Sequence, residues 1–136
     1  MKSADIQKYV EQQIPEGDEL VGFFSGNSTM DLQVLVIAPM FAGLTIKVIV
    51  VAVTKKCLVI HLLNKLGTKF LDYFSLEYSE IDSIKFGMGW IQRPVKIKLK
   101  SGDKIKIKAQ VRALVNCPKL TDDLQDYITK RVLNNK

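Results

Sequence analysis

The stretch VKIKLKSGDKIKIK, residues 95–108, constrains the fold more than any other part of the chain. Apolar and basic side chains alternate with the two-residue period of a β-strand. Val95, Ile97, Leu99, Ile105 and Ile107 therefore point to one face, and Lys96, Lys98, Lys100, Lys104, Lys106 and Lys108 to the other. Ser101, Gly102 and Asp103 between the two runs are turn residues, so a hairpin is expected. Its turn must preserve parity. A three-residue loop over 101–103 pairs Lys100 with Lys104, Lys98 with Lys106 and Lys96 with Lys108, whereas a two-residue loop sets lysine against isoleucine. Like charges directly opposite one another destabilise a ladder by on the order of tenths of a kcal/mol per pair.

A hairpin with one apolar face must lay that face on a core. With 136 residues, 47% hydrophobic and 25% charged, the chain has the size and composition of one folded domain, 1–136. The net charge is +6, and the hairpin holds six lysines and one aspartate, so the other residues sum to only +1. The basicity is a local patch suited to an anionic lipid surface, other phosphates or an acidic protein. The plainer reading is that the lysines keep an edge strand from pairing with other chains.

Short strands are expected at about 19–25, 46–53, 57–63, 69–76, 82–87, 91–100 and 104–110, each bounded by turn residues, with a loop opening at Gly26, Asn27 and Ser28. A short helix over 3–14, with Ser3 as its cap and Ile6, Tyr9, Val10 and Ile14 on one face, precedes them. After Asn116 and Cys117, Pro118 suits the first turn of a closing helix over 118–133, where Leu120, Leu124, Ile128 and Val132 recur at helical spacing. The expected fold is mainly β (α+β): a two-sheet antiparallel sandwich or partly open barrel of about seven strands, capped by an amphipathic C-terminal helix.

Residues 32–54 carry one charge, Lys47, and have the hydropathy of a membrane span. Pro39, Gly43, Lys47 and the β-branched run 47–53 argue instead for a buried strand at its end. Residues 31–44 fit either a strand or an apolar helix capped by Asp31. Val36, Met40 and Phe41 in this segment are candidates for contact with a second copy, a partner or a bilayer. Trp90 and Met88, in FGMGW, are candidates for the same role, since an aromatic feeding a lysine-rich strand suits a head-group layer; the alternative is packing under the hairpin or against a neighbouring helix.

No catalytic constellation emerges. His61, the only histidine, lies in the apolar run CLVIHLL and reads as a sheet histidine with a satisfied hydrogen bond or a solvent-facing tip. Glu77, Glu80 and Asp82 mark a turn, and Asp122, Asp123 and Asp126 a helix start, so no metal or cofactor is expected. Cys57 and Cys117 lack metal-ligand spacing and read as thiols in a reducing cytoplasm. The N-terminus MKSADIQKYVEQQ lacks the apolar core of a secretion signal, which points to a cytoplasmic protein with scope for peripheral membrane attachment. The lysines have no aromatic side chains among them, which speaks against nucleic acid, and no small-molecule substrate is expected.

Two segments carry a resemblance. IVVAVTKKCLVI, residues 49–60, resembles the strand, Thr, basic turn, strand pattern of bacterial pleckstrin-homology-like (PH/GRAM-like) domains, and YSEIDSIKF, residues 78–86, is similar to their Tyr-Ser-acidic-Ile element. The terminal order, a hairpin with a Ser-Gly-acidic turn and then a helix, matches too, so the resemblance spans about 16–133. It implies a binding or assembly module rather than an enzyme, with homo-oligomers frequent among bacterial relatives. Eukaryotic relatives bind phosphoinositides through basic residues near the loop joining the first two strands. Here residues 25–45 contain no Lys or Arg, so an anion site is expected on the lysine hairpin instead.

Overall fold

In a computed structural model describing residues 3–28, 48–64, 68–112 and 118–135, helix α1 (Ser3–Gln12) is followed by seven strands and helix α2 (Asp122–Asn134). The strands are β1 (Leu20–Ser28), β2 (Val48–Thr54), β3 (Cys57–Leu63), β4 (Phe70–Glu77), β5 (Ile81–Phe86), β6 (Gln92–Leu99) and β7 (Lys104–Gln110). All pair antiparallel, in the order β4-β3-β2-β1-β7-β6-β5. The alternating and β-branched runs are strands as expected. No helix among the described residues is long and apolar enough to cross a membrane.

β1 departs from expectation by running on through Gly26 and Asn27 to Ser28. It serves both halves of the sheet, and Gly26 pairs with Ile49 of β2 on one side and Ala109 of β7 on the other. A Cβ at position 26 would lie 2.7 Å from the Lys108 carbonyl oxygen. This glycine admits a neighbouring backbone rather than ending the strand. With β1 in common, the sheet curls until its ends share one core, in which Phe24, Ile60 and Leu76 join Val95, Ile97 and Ile107, and α2 adds Ile128 and Val132.

α2 begins four residues later than the position of Pro118 suggests. Thr121 is the cap, its side chain accepting from the Leu124 N–H, and Asp122 and Asp123 occupy the first turn, where the helix N-terminus favours negative charge. Residues 118–120 bond to the sheet instead. The Pro118 carbonyl accepts from the N–H and Oγ of Ser25, both at 2.8 Å, and the Leu120 N–H donates to the Gln110 carbonyl at 2.6 Å.

Strand β3 is buried at every residue and β2 at all but its first, because both faces are covered. Their second face packs under α1, where Ile6 and Val10 meet Val50, Ala52, Cys57, Val59 and Leu63. This is why the two strands read as unbroken apolar runs. His61 lies in that layer, fully buried, with neither ring nitrogen hydrogen-bonded. That differs from both expected environments. Tyr9 of α1 stacks on Phe70 at 3.8 Å, and the His61 ring sits 5.4 Å from Tyr9, 5.8 Å from Phe70 and 5.5 Å from Tyr73. Burial without a partner pulls its pKa down to about 4, so it packs as a neutral ring.

A hydrogen-bonded knot joins the remaining parts. The buried Thr54 hydroxyl accepts from the Cys57 N–H at 3.0 Å and has the Asp18 carboxylate at 2.7 Å and the Cys57 carbonyl at 2.8 Å as acceptors. With one proton to give, it favours the charged acceptor. Burial pushes the Asp18 pKa up, but hydrogen bonds from Thr54, the N–H groups of Glu19 and Lys56, and Cys57 outweigh it and hold the carboxyl below its ordinary value. Tyr78, in the 3-10 turn Tyr78–Glu80, donates its hydroxyl to the Thr54 carbonyl at 2.8 Å, and Arg131 of α2 lies over the Tyr78 ring and donates to the Lys55 carbonyl.

Two outcomes follow from these buried polar groups. Thr54→Val, measured by urea unfolding, should cost about 1–3 kcal/mol, with Thr54→Ser recovering most of the loss. His61 takes up a proton near its ordinary 6.5 in the unfolded chain but only near 4 when folded, so the stability due to its neutral form is complete above 6.5 and falls as pH drops towards 4. Urea midpoints of His61→Leu should decline less than wild type across that window; parallel declines would show that His61 does not set the acid sensitivity.

Candidate functional site

The lysine hairpin forms with the expected parity but another register. Leu99 accepts from the Gly102 N–H and donates to the Asp103 carbonyl, at 2.9 and 2.8 Å, so the loop is Lys100, Ser101 and Gly102 rather than 101–103. Gly102, at φ 99°, is the left-handed residue that this three-residue turn requires at its third position. The pairs are consequently Lys98 with Lys104, Lys96 with Lys106 and Pro94 with Lys108. Lys100 leaves the ladder for the turn, where its N–H bonds to the Glu80 carbonyl.

β5 adds a residue that hairpin reasoning missed. Lys85 pairs with Lys96, so Lys85, Lys96 and Lys106 stand in one row across three strands, roughly 5 Å apart from neighbour to neighbour. The next row is Ser83, Lys98 and Lys104. Between the rows lies an open depression of about 370 Å³ lined by Lys85, Lys96, Lys98, Lys104, Lys106 and Ser83 together with Ile97 and Ile105. Asp82 reaches Lys98 at 4.0 Å. The stretch 84–112 carries nine basic side chains and one acid, so it holds +8 and the other residues −2 of the chain's +6.

The lysines of β6 do not guard an edge, whereas Lys104 and Lys106 lie on the part of β7 that, among the described residues, pairs with β6 alone. β6 is paired on both sides, and β7 is paired with β6 and, over residues 107–109, with β1. The strand at this end of the sheet is β5, which contributes Lys85 alone. At the other end of the lysine rows, the loop from Gly87 to Ile91 is closed by the Gly87 N–H on the Pro94 carbonyl, 2.8 Å, and the Val111 N–H on the Ile91 carbonyl, 3.0 Å. It presents Met88 at 93%, Trp90 at 88% and Ile91 at 54% exposure. Trp90 therefore does not pack under the hairpin.

The other expected candidates are dispersed. Val36, Met40 and Phe41 lie outside the described residues, as does Cys117. Cys57 is buried and free of any disulfide, and burial raises its pKa. Glu80 caps its turn through the Glu77 N–H, and Asp122 faces Arg93 at 3.8 Å. Among the described residues no group of three or more His, Cys, Asp or Glu side chains is placed to hold a metal ion.

No protein-family profile and no curated protein sequence matches the chain. Solved structures do match its shape. The hSac2 domain from the human phosphoinositide phosphatase Sac2 aligns with a TM-score of 0.57 and 13% identity, covering 98% of this chain and 79% of that one. A pleckstrin homology domain from Shewanella amazonensis SB2B aligns with a TM-score of 0.56 and 12% identity, covering 97% of this chain and 89% of that one. The fold is pleckstrin-homology-like. Within it, the two segments that carry the sequence resemblance meet directly through the Tyr78 hydroxyl on the Thr54 carbonyl. Identities this low extend to architecture and not to ligand.

The lysine row of this pleckstrin-homology-like sheet has a measurable cost. Lys96 stands between two lysines, so Lys96→Thr should raise stability by on the order of 0.5 kcal/mol at low ionic strength, and by less in concentrated salt. A loss of stability, or a gain independent of salt, would contradict repulsion across the row.

Proposed function

We propose that this pleckstrin-homology-like domain is a non-catalytic binding module that meets an anionic surface, of lipid head groups or an acidic protein, with the outer face of β5, β6 and β7. The observation that carries the reading is the row Lys85, Lys96 and Lys106, three like charges side by side on strands of which β6 has no free edge to protect. Repulsion within such a row is relieved when negative charge is laid over it. The flanking row supplies Lys98 and Lys104, and Lys108 extends the face towards the β5–β6 loop. The lysines have no aromatic side chains between them to stack bases, which favours a surface of charges over a nucleic-acid strand. A catalytic role finds little support, since the only histidine is sealed beneath α1.

The test compares wild type with a variant in which Lys96, Lys98, Lys104 and Lys106 are all glutamine, on phosphatidylserine-containing vesicles and on immobilised poly-glutamate. Wild type should be retained on at least one support and released by salt. The variant should bind at least a hundredfold more weakly, each lysine contributing about 1 kcal/mol near a charged surface. Equal retention of both proteins, or no retention of wild type on either support, would overturn the proposal.

A further inference from the structure

We infer that the β5–β6 loop, with Met88, Trp90 and Ile91, enters a lipid bilayer, so that the anionic surface met by the lysines is a membrane. This rests on the reading of the lysine face as an anion-contacting surface and narrows its partner to one.

Three large apolar side chains within four residues are turned to water, Met88 and Trp90 almost completely. The other exposed large apolar side chains among the described residues, Val21, Leu71, Tyr73 and Leu133, are each at 58% exposure or less and belong to other elements. The loop is held at both ends by backbone hydrogen bonds, from Gly87 to Pro94 and from Val111 to Ile91, so its tip is presented without folding on contact. Tryptophan suits the membrane interface, where its ring is half immersed and its N–H stays near water.

The charges are arranged to match. Pro94 and Lys108 form the ladder row at the loop's base, and the row Lys85, Lys96 and Lys106 follows about 7 Å further along the strands. A head-group layer is roughly 5–8 Å deep on each side of a bilayer. With the loop tip at the hydrocarbon boundary, Lys108 is the lysine of the ladder nearest the lipid phosphates and carboxylates, and the triple row stands outside them, within reach of their field. An acidic protein surface would neutralise the lysines but gives no reason for an apolar tip at the end of their rows.

Trp90 is the only tryptophan of the chain, so its emission reports the loop without a label. Vesicles of phosphatidylcholine alone, and of phosphatidylcholine with phosphatidylserine, are added to the intact protein; a parallel set carries bromine on the acyl chains. Emission should shift to the blue and be quenched by the bromine only where phosphatidylserine is present. Met88→Ser combined with Ile91→Ser, which leaves Trp90 in place, should weaken vesicle binding about tenfold while retention on poly-glutamate stays as in wild type. Unshifted, unquenched emission from protein that sediments with the vesicles would overturn insertion and leave the anionic-face reading standing. Wild type held by poly-glutamate but by no vesicle would point to an acidic protein and overturn the bilayer as partner. Equal loss on both supports in the double variant would overturn the loop's specific role, and failure of wild type on both would remove the underlying reading as well.

Discussion

A hydroxyl that cannot be left dry organises this domain. Thr54 ends β2 in a fully buried position, and its side chain serves the turn into β3 and Asp18 before β1, while its carbonyl accepts from Tyr78. Arg131 closes the same knot from α2 through the Lys55 carbonyl. The approach to the first strand, the β2–β3 turn, the corner between the two halves and the closing helix are thus tied at one place by directional bonds. Apolar packing alone would not specify those angles, whereas an unsatisfied buried polar group costs enough to exclude alternatives.

The covering of the sheet decides which surface is left open. α1 seals the outer face of β2 and β3, and α2 fills the open side of the core. Among the described residues no element covers the outer face of β5 to β7, where lysine stands against lysine in the ladder and Asp82 reaches Lys98. Solvation alone would be served as well by mixed charges, which attract across a ladder. The row Lys85, Lys96 and Lys106 gives up that attraction, and an opposite charge laid over it would restore it.

Legibility in the sequence followed how local each determinant is. Alternation made β6 and β7 readable, because a two-residue period needs no knowledge of neighbours. Their register was misread because both three-residue loops preserve parity, and only the left-handed conformation of Gly102 separates them. Lys85 was missed because its role depends on β5 lying beside β6, a non-local pairing behind a bulge between Ile81 and Ser83. Gly26 looked like a loop residue until β7 was seen to approach it, and Pro118 like a helix start although Thr121 holds the better cap. His61 broke the usual rule that buried polar atoms find partners, which no pattern along the chain announces.

The lopsided charge has a consequence for how the domain would approach a negative surface. With +8 held between Ile84 and Arg112 and −2 spread over the other residues, the molecule is electrically polar as well as positive. In the field outside a negative surface such a body feels a torque before it touches anything, over distances of about 8–10 Å at ordinary ionic strength. It turns β5, β6 and β7 forward while still diffusing. Near such a surface, orientation would be settled by long-range forces, and short-range contacts would have only to hold what had already been aligned.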